Sequence, residues 1–462
     1  MFETTSSPEI YKKPKIYDEQ LFEQFSKVGT FEAYEYLDGD KKYRNEQKSK
    51  FLTGEITNPT LDYPELDIEK INSFDHELTL LKSEICANEP NEVVRQVYRW
   101  KINEKIAEAR MLKAAAIGDE KNLRRFNKYS EFIYGKPSTD VFSYTINSIG
   151  DDAIVGLDSE NSEIKQAATE LLKVLPIMEQ STIASLPDQK IVNFAQAQTE
   201  KELGDLIDIP TDITKFDSFQ AKAAFDTAIE KIGAEGWTVV IEAENSKTAV
   251  SVSQEDMAVK IPAERTFTRK KVVSLIAHEI FTHVLRRENG ERSKLKLLGL
   301  GLDRYEAGDD GVATMREQAI TGKVDDFRGI DGMLAIGLAQ GIDGQPRDFR
   351  EVYNILEKYY YYNNMKSGKK ESAESLKKAQ DSAWNRTIRT FRGTDCQTKG
   401  VCFTKDVIYR NGSIGVWNVI KDNPEEMTRF NVGKYDPSEP RHIWVLEQLN
   451  ITDQDLAELE QA

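Results

Sequence analysis

The sequence predicts an α+β fold, mostly helical, with a small β-sheet beside a helix that carries an HExxxH motif. Three observations predict it. Apolar residues recur every three or four positions over long stretches, the period of an amphipathic helix. Runs rich in β-branched residues cluster at Trp237–Ile241, Ala249–Ser253 and Ala258–Pro262. Directly after them, Lys270 to about Arg287 reads as strongly helical.

Taken in order, residues 1–62 are polar and read as an N-terminal arm with one short helix near Glu19–Lys27. Leu37-Asp38-Gly39-Asp40 and Asn58-Pro59 are turn signals. Residues 63–200 read as a helical subdomain. Ile68–Ala87 has helical spacing, Asn91 is placed to cap a helix reaching about Ala116, and Tyr134-Gly135-Lys136-Pro137 marks a break. Residues 201–449 form the expected catalytic region, and 450–462 an acidic tail. Within that region Asn289-Gly290 suits a left-handed helix stop. Ala313–Ile320, Met333–Gln340, Asp348–Tyr359 and Ala373–Thr390 read as helices. Cys402–Tyr409 and Gly415–Ile420 flank Asn411-Gly412, a hairpin signal.

Composition narrows the function classes. The chain has 462 residues and a formal charge of −16, which argues against nucleic acid or an anionic membrane as partner. It also offers no general basic surface for acidic protein tails. No stretch approaches the roughly 18 apolar residues of a membrane span, and no signal-peptide core is evident, so a soluble, cytoplasmic protein is expected. Cys86, Cys396 and Cys402 are too few and too scattered for a disulfide framework and read as ordinary thiols.

The chemistry sits in His278-Glu279-Ile280-Phe281-Thr282-His283. Two of the chain's four histidines stand here, five apart, with a glutamate beside the first. Neutral imidazoles are good zinc ligands, and an adjacent carboxylate can take a proton from a metal-activated water. Positions four apart on an α-helix differ by about 40° around the axis, and positions five apart by about 140°. Two histidines at this spacing therefore require a π-bulge, or an unwound last turn, between Glu279 and Val284. His76 and His442 lack such company and read as structural or solvent-facing.

A catalytic zinc site needs a third protein ligand. Asp303 to Ala313 reads as a loop running into a helix, and Glu306, Asp309, Asp310 and Glu317 all qualify by charge. Each can equally be a solvated acid, and Asp309 a helix N-cap.

Taken together, these blocks resemble the microtubule-associated tyrosine carboxypeptidase family and its bacterial relatives with a "QEGLA" motif. The resemblance rests on the HExxxH segment, Asn289-Gly290, Asp309-Asp310-Gly311-Val312-Ala313, Phe391-Arg392-Gly393, Phe403-Thr404-Lys405-Asp406-Val407-Ile408-Tyr409 and Tyr134-Gly135-Lys136-Pro137-Ser138. It implies zinc held by His278, His283 and Asp310, where the family has glutamate at the last position. It also implies Glu279 as general base, and removal of a C-terminal, Tyr-like residue from a peptide or protein. Phe281 replaces the family's glycine and is expected to narrow or reshape the cleft.

A terminal carboxylate needs a cation. Arg392 and Lys405 are the candidates, and Tyr409 is a candidate donor to the oxyanion. Val250–Ser253 and Ala258–Ile261 could lend a sheet edge to an extended peptide. The alternatives are a catalytically silent zinc-binding interaction protein, and an endopeptidase or amidase on the same scaffold.

Overall fold

Local capping explains where most of the helices begin. Asp40, Asp67, Asn91, Asp119 and Asn161 each precede a helix and accept hydrogen bonds from its first free N–H groups, which lack partners inside the helix. In a computed structural model the described residues are 15–454, apart from 30–32, 205–206, 208, 210–212, 243–248, 369–371 and 453. The fold is α+β and mostly helical, as predicted.

Strands β1 (Lys215–Phe216), β2 (Thr238–Glu242), β3 (Ser251–Ser253), β4 (Ala258–Pro262) and β5 (Phe267–Thr268) form two small sheets. β1 pairs antiparallel with β5. In the other sheet the order is β2-β4-β3, with β2 parallel and β3 antiparallel to β4. β4 is central and buries Ala258, Val259, Ile261 and Pro262. It therefore has no edge left for a peptide; β2 and β3 are the strands at the two ends of the sheet.

That sheet packs on helix 269–292 through Val239, Ile261, Leu275, Ile276, Ile280 and Val284. Each such buried side chain contributes about 1.5–3 kcal/mol, which fixes the helix's apolar face and turns its histidines the other way. Two larger cores cross position 200. Phe142 and Ile146 pack with Val312, Met333 and Trp417, while Val94, Tyr98 and Ile102 join Leu297, Leu298 and Tyr435. The two stretches therefore share their interior.

Several expectations are corrected. Residues before 62 are more than an arm with one helix: Glu19–Val28, Ala33–Tyr36 and Lys41–Leu52 are all helical, and Phe51 is fully buried in the main core. Asn289-Gly290 does not stop its helix, which runs on to Arg292. Gly290 serves instead as a contact point, since a Cβ there would overlap the backbone of Leu298 and Gly299. Asn411-Gly412 is no hairpin. It lies inside the helix Val407–Asp422, where the absent Cβ lets the carbonyl of Ala307 approach. Gly311 meets the same crossing, 2.5 Å from the Gly412 carbonyl oxygen were a Cβ present. The acids at 306–310 lie on the helix Glu306–Thr321 rather than on a loop. The acidic tail falls largely outside the described residues.

Candidate metal centre

The segment Ile276–Val284 is a π-helix, the first of the two distortions expected from the five-residue histidine spacing. Its widened turns are stabilised by side chains. Thr282 Oγ1 donates to the carbonyl of Ala277, 2.8 Å away. Arg316, fully buried on the helix Glu306–Thr321, donates from Nη1 to the Phe281 carbonyl and to Thr282 Oγ1, both at 2.9 Å. Its Nη2 reaches Glu202 and Asn431, so the buried charge is paired, as burial requires. Phe281 lies under this guanidinium, 4.6 Å from ring centre to carbon, and packs on Leu203 and Ala277. It faces the interior and not the cleft, contrary to expectation, because the π turns rotate the histidines away from it.

The outcome is a compact trio. Ligand atoms of His278, Glu279 and His283 all lie within 4.8 Å of one another, and the two imidazoles stand 5.1 Å apart at 71°. Burial pushes His278 well below the ordinary imidazole pKa, keeping it neutral. Its Nδ1 is buried and makes no hydrogen bond; Glu317 Oε1 stands 3.6 Å off. Burial also raises the Glu279 carboxyl to about 8, within reach of a neutral working pH.

His283 is held differently. Its Nδ1 lies 2.7 Å from Asp309 Oδ2, and Asp309 Oδ1 accepts from Arg286 Nη1 at 2.5 Å. Arg286, fully buried, donates in turn to the carbonyls of Gly433 and Tyr435. Burial opposes the charge on Asp309, but Arg286 and His283 outweigh it and hold the carboxyl well below its usual range. An ionised acceptor at Nδ1 leaves the Nε2 lone pair of His283 for a metal, the usual arrangement behind a ligating histidine. Asp309 is thus an orienting group rather than an N-cap. Nothing in the sequence alone pointed to Arg286, although it lies three residues after His283, one turn along that helix.

Asp310 borders the same cleft without joining the trio at that spacing. Burial raises its carboxyl to about 6, against the opposing pull of His283. Two imidazoles, a nearby carboxylate and an orphaned buried nitrogen fit a divalent transition metal in donor chemistry. Glu306 binds Lys405 at 2.6 Å and Glu317 binds Lys271 at 3.0 Å.

The cleft measures about 400 Å³ and takes in the trio, Asp309 and Asp310, with Lys405 and Tyr409 on its wall. Lys434, which the sequence did not single out, is a further cation there. Val250, Ser251 and Val252 border it too, so the edge strand β3 runs along the site. Arg392 lies elsewhere: it is buried, does not border the cleft, and has Asp38 at 3.8 Å. His442 is structural, accepting from the Asp436 N–H and facing the Asp303 carbonyl, while His76 is exposed.

A family model described as microtubule-associated tyrosine carboxypeptidase matches residues 186–454. The chain belongs to this family. For the microtubule-associated tyrosine carboxypeptidase family, the matched span contains the π segment, Asp309-Asp310 and the Lys405–Tyr409 block, while Tyr134–Ser138 precedes it. No curated protein and no solved structure matches the chain. Among the described residues no helix is long and apolar enough to cross a membrane.

Proposed function

We propose that the protein is a zinc-dependent carboxypeptidase that removes a C-terminal residue, Tyr-like in the family's manner, from a peptide or protein. The observation that carries this reading is the π segment, which brings His278, Glu279 and His283 within 4.8 Å of one another. His278 and His283 would hold the zinc, with Asp310 as third ligand from the neighbouring helix. A bound zinc ion supplies a Lewis acid for the attacking water and the scissile carbonyl.

The remaining steps belong to the chain's own side chains. Glu279, buried and with a raised pKa, takes the proton of the attacking water and later gives it to the leaving amine. Tyr409, whose phenol burial keeps firmly protonated, donates to the developing oxyanion. Lys405 receives the terminal carboxylate. An extended substrate lies along β3, which borders the cleft.

One observation favours an endopeptidase on the same scaffold: Glu306 already engages Lys405. Short peptides with free or amidated C-termini, followed by mass spectrometry, separate the readings. Loss of one terminal residue from the free peptides only, abolished by chelator and by Glu279→Gln, supports the carboxypeptidase. Internal cuts in both sets support the endopeptidase. Zinc binding without any cleavage supports a silent binding protein, and absence of both zinc and cleavage overturns the central claim.

A further inference from the structure

The two histidines of the trio are backed in parallel ways. Behind His283 stand Asp309 and then Arg286. Behind His278 stand Glu317 and then Lys271: Glu317 Oε1 lies 3.6 Å from the imidazole Nδ1 and accepts from Lys271 Nζ at 3.0 Å. Both acids come from the helix Glu306–Thr321, and both cations from the helix 269–292 that carries the histidines. The same series of imidazole, carboxylate and cation thus stands on each side of the centre.

The two sides differ in closure. Asp309 is bonded to its imidazole, whereas 3.6 Å is too long for a hydrogen bond. His278 Nδ1 is therefore left buried and without a partner. The other nitrogen, Nε2, is not enclosed in this way, and His278 borders the cleft, so Nε2 is the one that opens to it. A neutral imidazole has one N–H and one lone pair, and the partner at one nitrogen decides which lies where. A carboxylate beside Nδ1 favours the proton there and leaves the lone pair facing the cleft. Glu317 itself is tied to Lys271 and does not join the trio at its 4.8 Å spacing.

We propose that Glu317 is a positioning residue whose carboxylate closes on Nδ1–H of His278 when zinc binds at Nε2, fixing that ring as Asp309 fixes His283. The proposal rests on the zinc reading. Coordination at Nε2 draws electron density from the ring and makes Nδ1–H a stronger donor. A movement of about 0.7 Å then brings the pair to the length of a charge-assisted bond. The Lys271 side chain is 44% exposed and free to follow the carboxylate. Glu317, which by charge alone qualified as a third ligand, is on this account the partner of a ligand.

The test uses zinc-loaded full-length protein with isotope-labelled imidazoles, read by proton–nitrogen correlation spectra. The chain's four histidines make single-variant assignment practical. Wild type is expected to show His278 protonated at Nδ1, with that proton shifted far downfield. Glu317→Ala should move the proton upfield or lose it to exchange, and should weaken zinc binding about 10–100-fold in chelator competition. Glu317→Gln, whose amide oxygen can still accept, should recover most of that affinity. Wild-type His278 protonated at Nε2 instead overturns the proposal, as does a folded Glu317→Ala with an unmoved proton and unchanged affinity; both leave the zinc centre standing. A loss at Glu317→Ala as large as that at His283→Ala would make Glu317 a ligand and also overturns the positioning role. If Glu317→Ala fails to fold, the wild-type spectrum and Glu317→Gln decide. Wild type that takes up no zinc overturns the underlying reading, and the role of Glu317 with it.

Discussion

Asp309 joins His283 to Arg286, with one carboxylate oxygen 2.7 Å from the imidazole Nδ1 and the other 2.5 Å from the guanidinium. The chain of contacts ends on the Gly433 and Tyr435 carbonyls, so a loop far along the sequence sets the orientation of one imidazole. Loss of such an outer partner typically costs 10–100-fold in metal affinity. Asp309→Asn is therefore expected to weaken zinc binding by about that factor, read by competition with a chromogenic chelator. Unchanged affinity in a folded variant would show that His283 needs no orientation.

The third ligand can be separated from its acidic neighbours by the same assay. Asp310→Ala should weaken zinc binding well beyond Glu317→Ala, because Glu317 is engaged by Lys271. Asp310→Glu, which restores the residue type usual in the family, should retain binding. Equal losses at the two alanine variants would remove Asp310 from the ligand set.

The π segment depends on Arg316 and Thr282. Arg316→Met removes the donor to the Phe281 carbonyl and leaves the partly buried Glu202 without its countercharge, bonded only by Gln198, a loss of up to about 3 kcal/mol. Thr282→Val loses one buried hydrogen bond, about 1 kcal/mol, and should weaken zinc binding too. Urea unfolding supplies the first quantities and chelator competition the second. A stable Thr282→Val variant with full zinc affinity would mean that the π turns hold without their side-chain bond.

Gly412 allows two helices to cross at backbone contact. Gly412→Ala puts a methyl into the Ala307 carbonyl, and overpacking of this kind costs about 1–3 kcal/mol. Since Ala307 lies two and three residues from Asp309 and Asp310, the variant should lose zinc affinity together with stability. Thermal melts with and without zinc check both.

Acid should weaken the fold through Asp406, which is buried between Arg386 and Arg389. Burial opposes its charge, but the two guanidiniums prevail and hold its pKa well below the usual carboxylate range. A depressed folded-state pKa means stability that is fully present above the unfolded pKa, about 4, and lost as pH falls through the folded value. Asp406→Asn should cost about 3–5 kcal/mol at pH 7, and the gap to wild type should close as pH drops below about 4. A gap that stays constant down to pH 2 would rule out this linkage.

Much of the fold and half of the candidate site were legible in the sequence because both are local properties. Asn91 and the apolar spacing around it specify a helix without outside help, and the β-branched runs from 237 to 262 specify strands. The five-residue interval between His278 and His283 called for a π-bulge or an unwound last turn to bring both rings to one face, and the π turn is the one found. Legibility failed where a residue's role is a contact with distant chain. Asn411-Gly412 has the composition of a turn, yet it lies in a helix because the Ala307 carbonyl comes close to Gly412.

The sequence by itself determined the helical class, the sheet beside the zinc-type motif, a distortion of the helix between the two histidines, and His278, Glu279 and His283 as the candidate centre. Only the tertiary structure decided that Asp309 orients rather than caps, that Arg286 and Lys434 belong to the site, that Arg392 does not border it, and that Phe281 faces inward. The physical reason is that periodicity and capping act over a few residues of one chain segment. Which acid meets which base depends on how helices from positions hundreds of residues apart bury their apolar faces against one another.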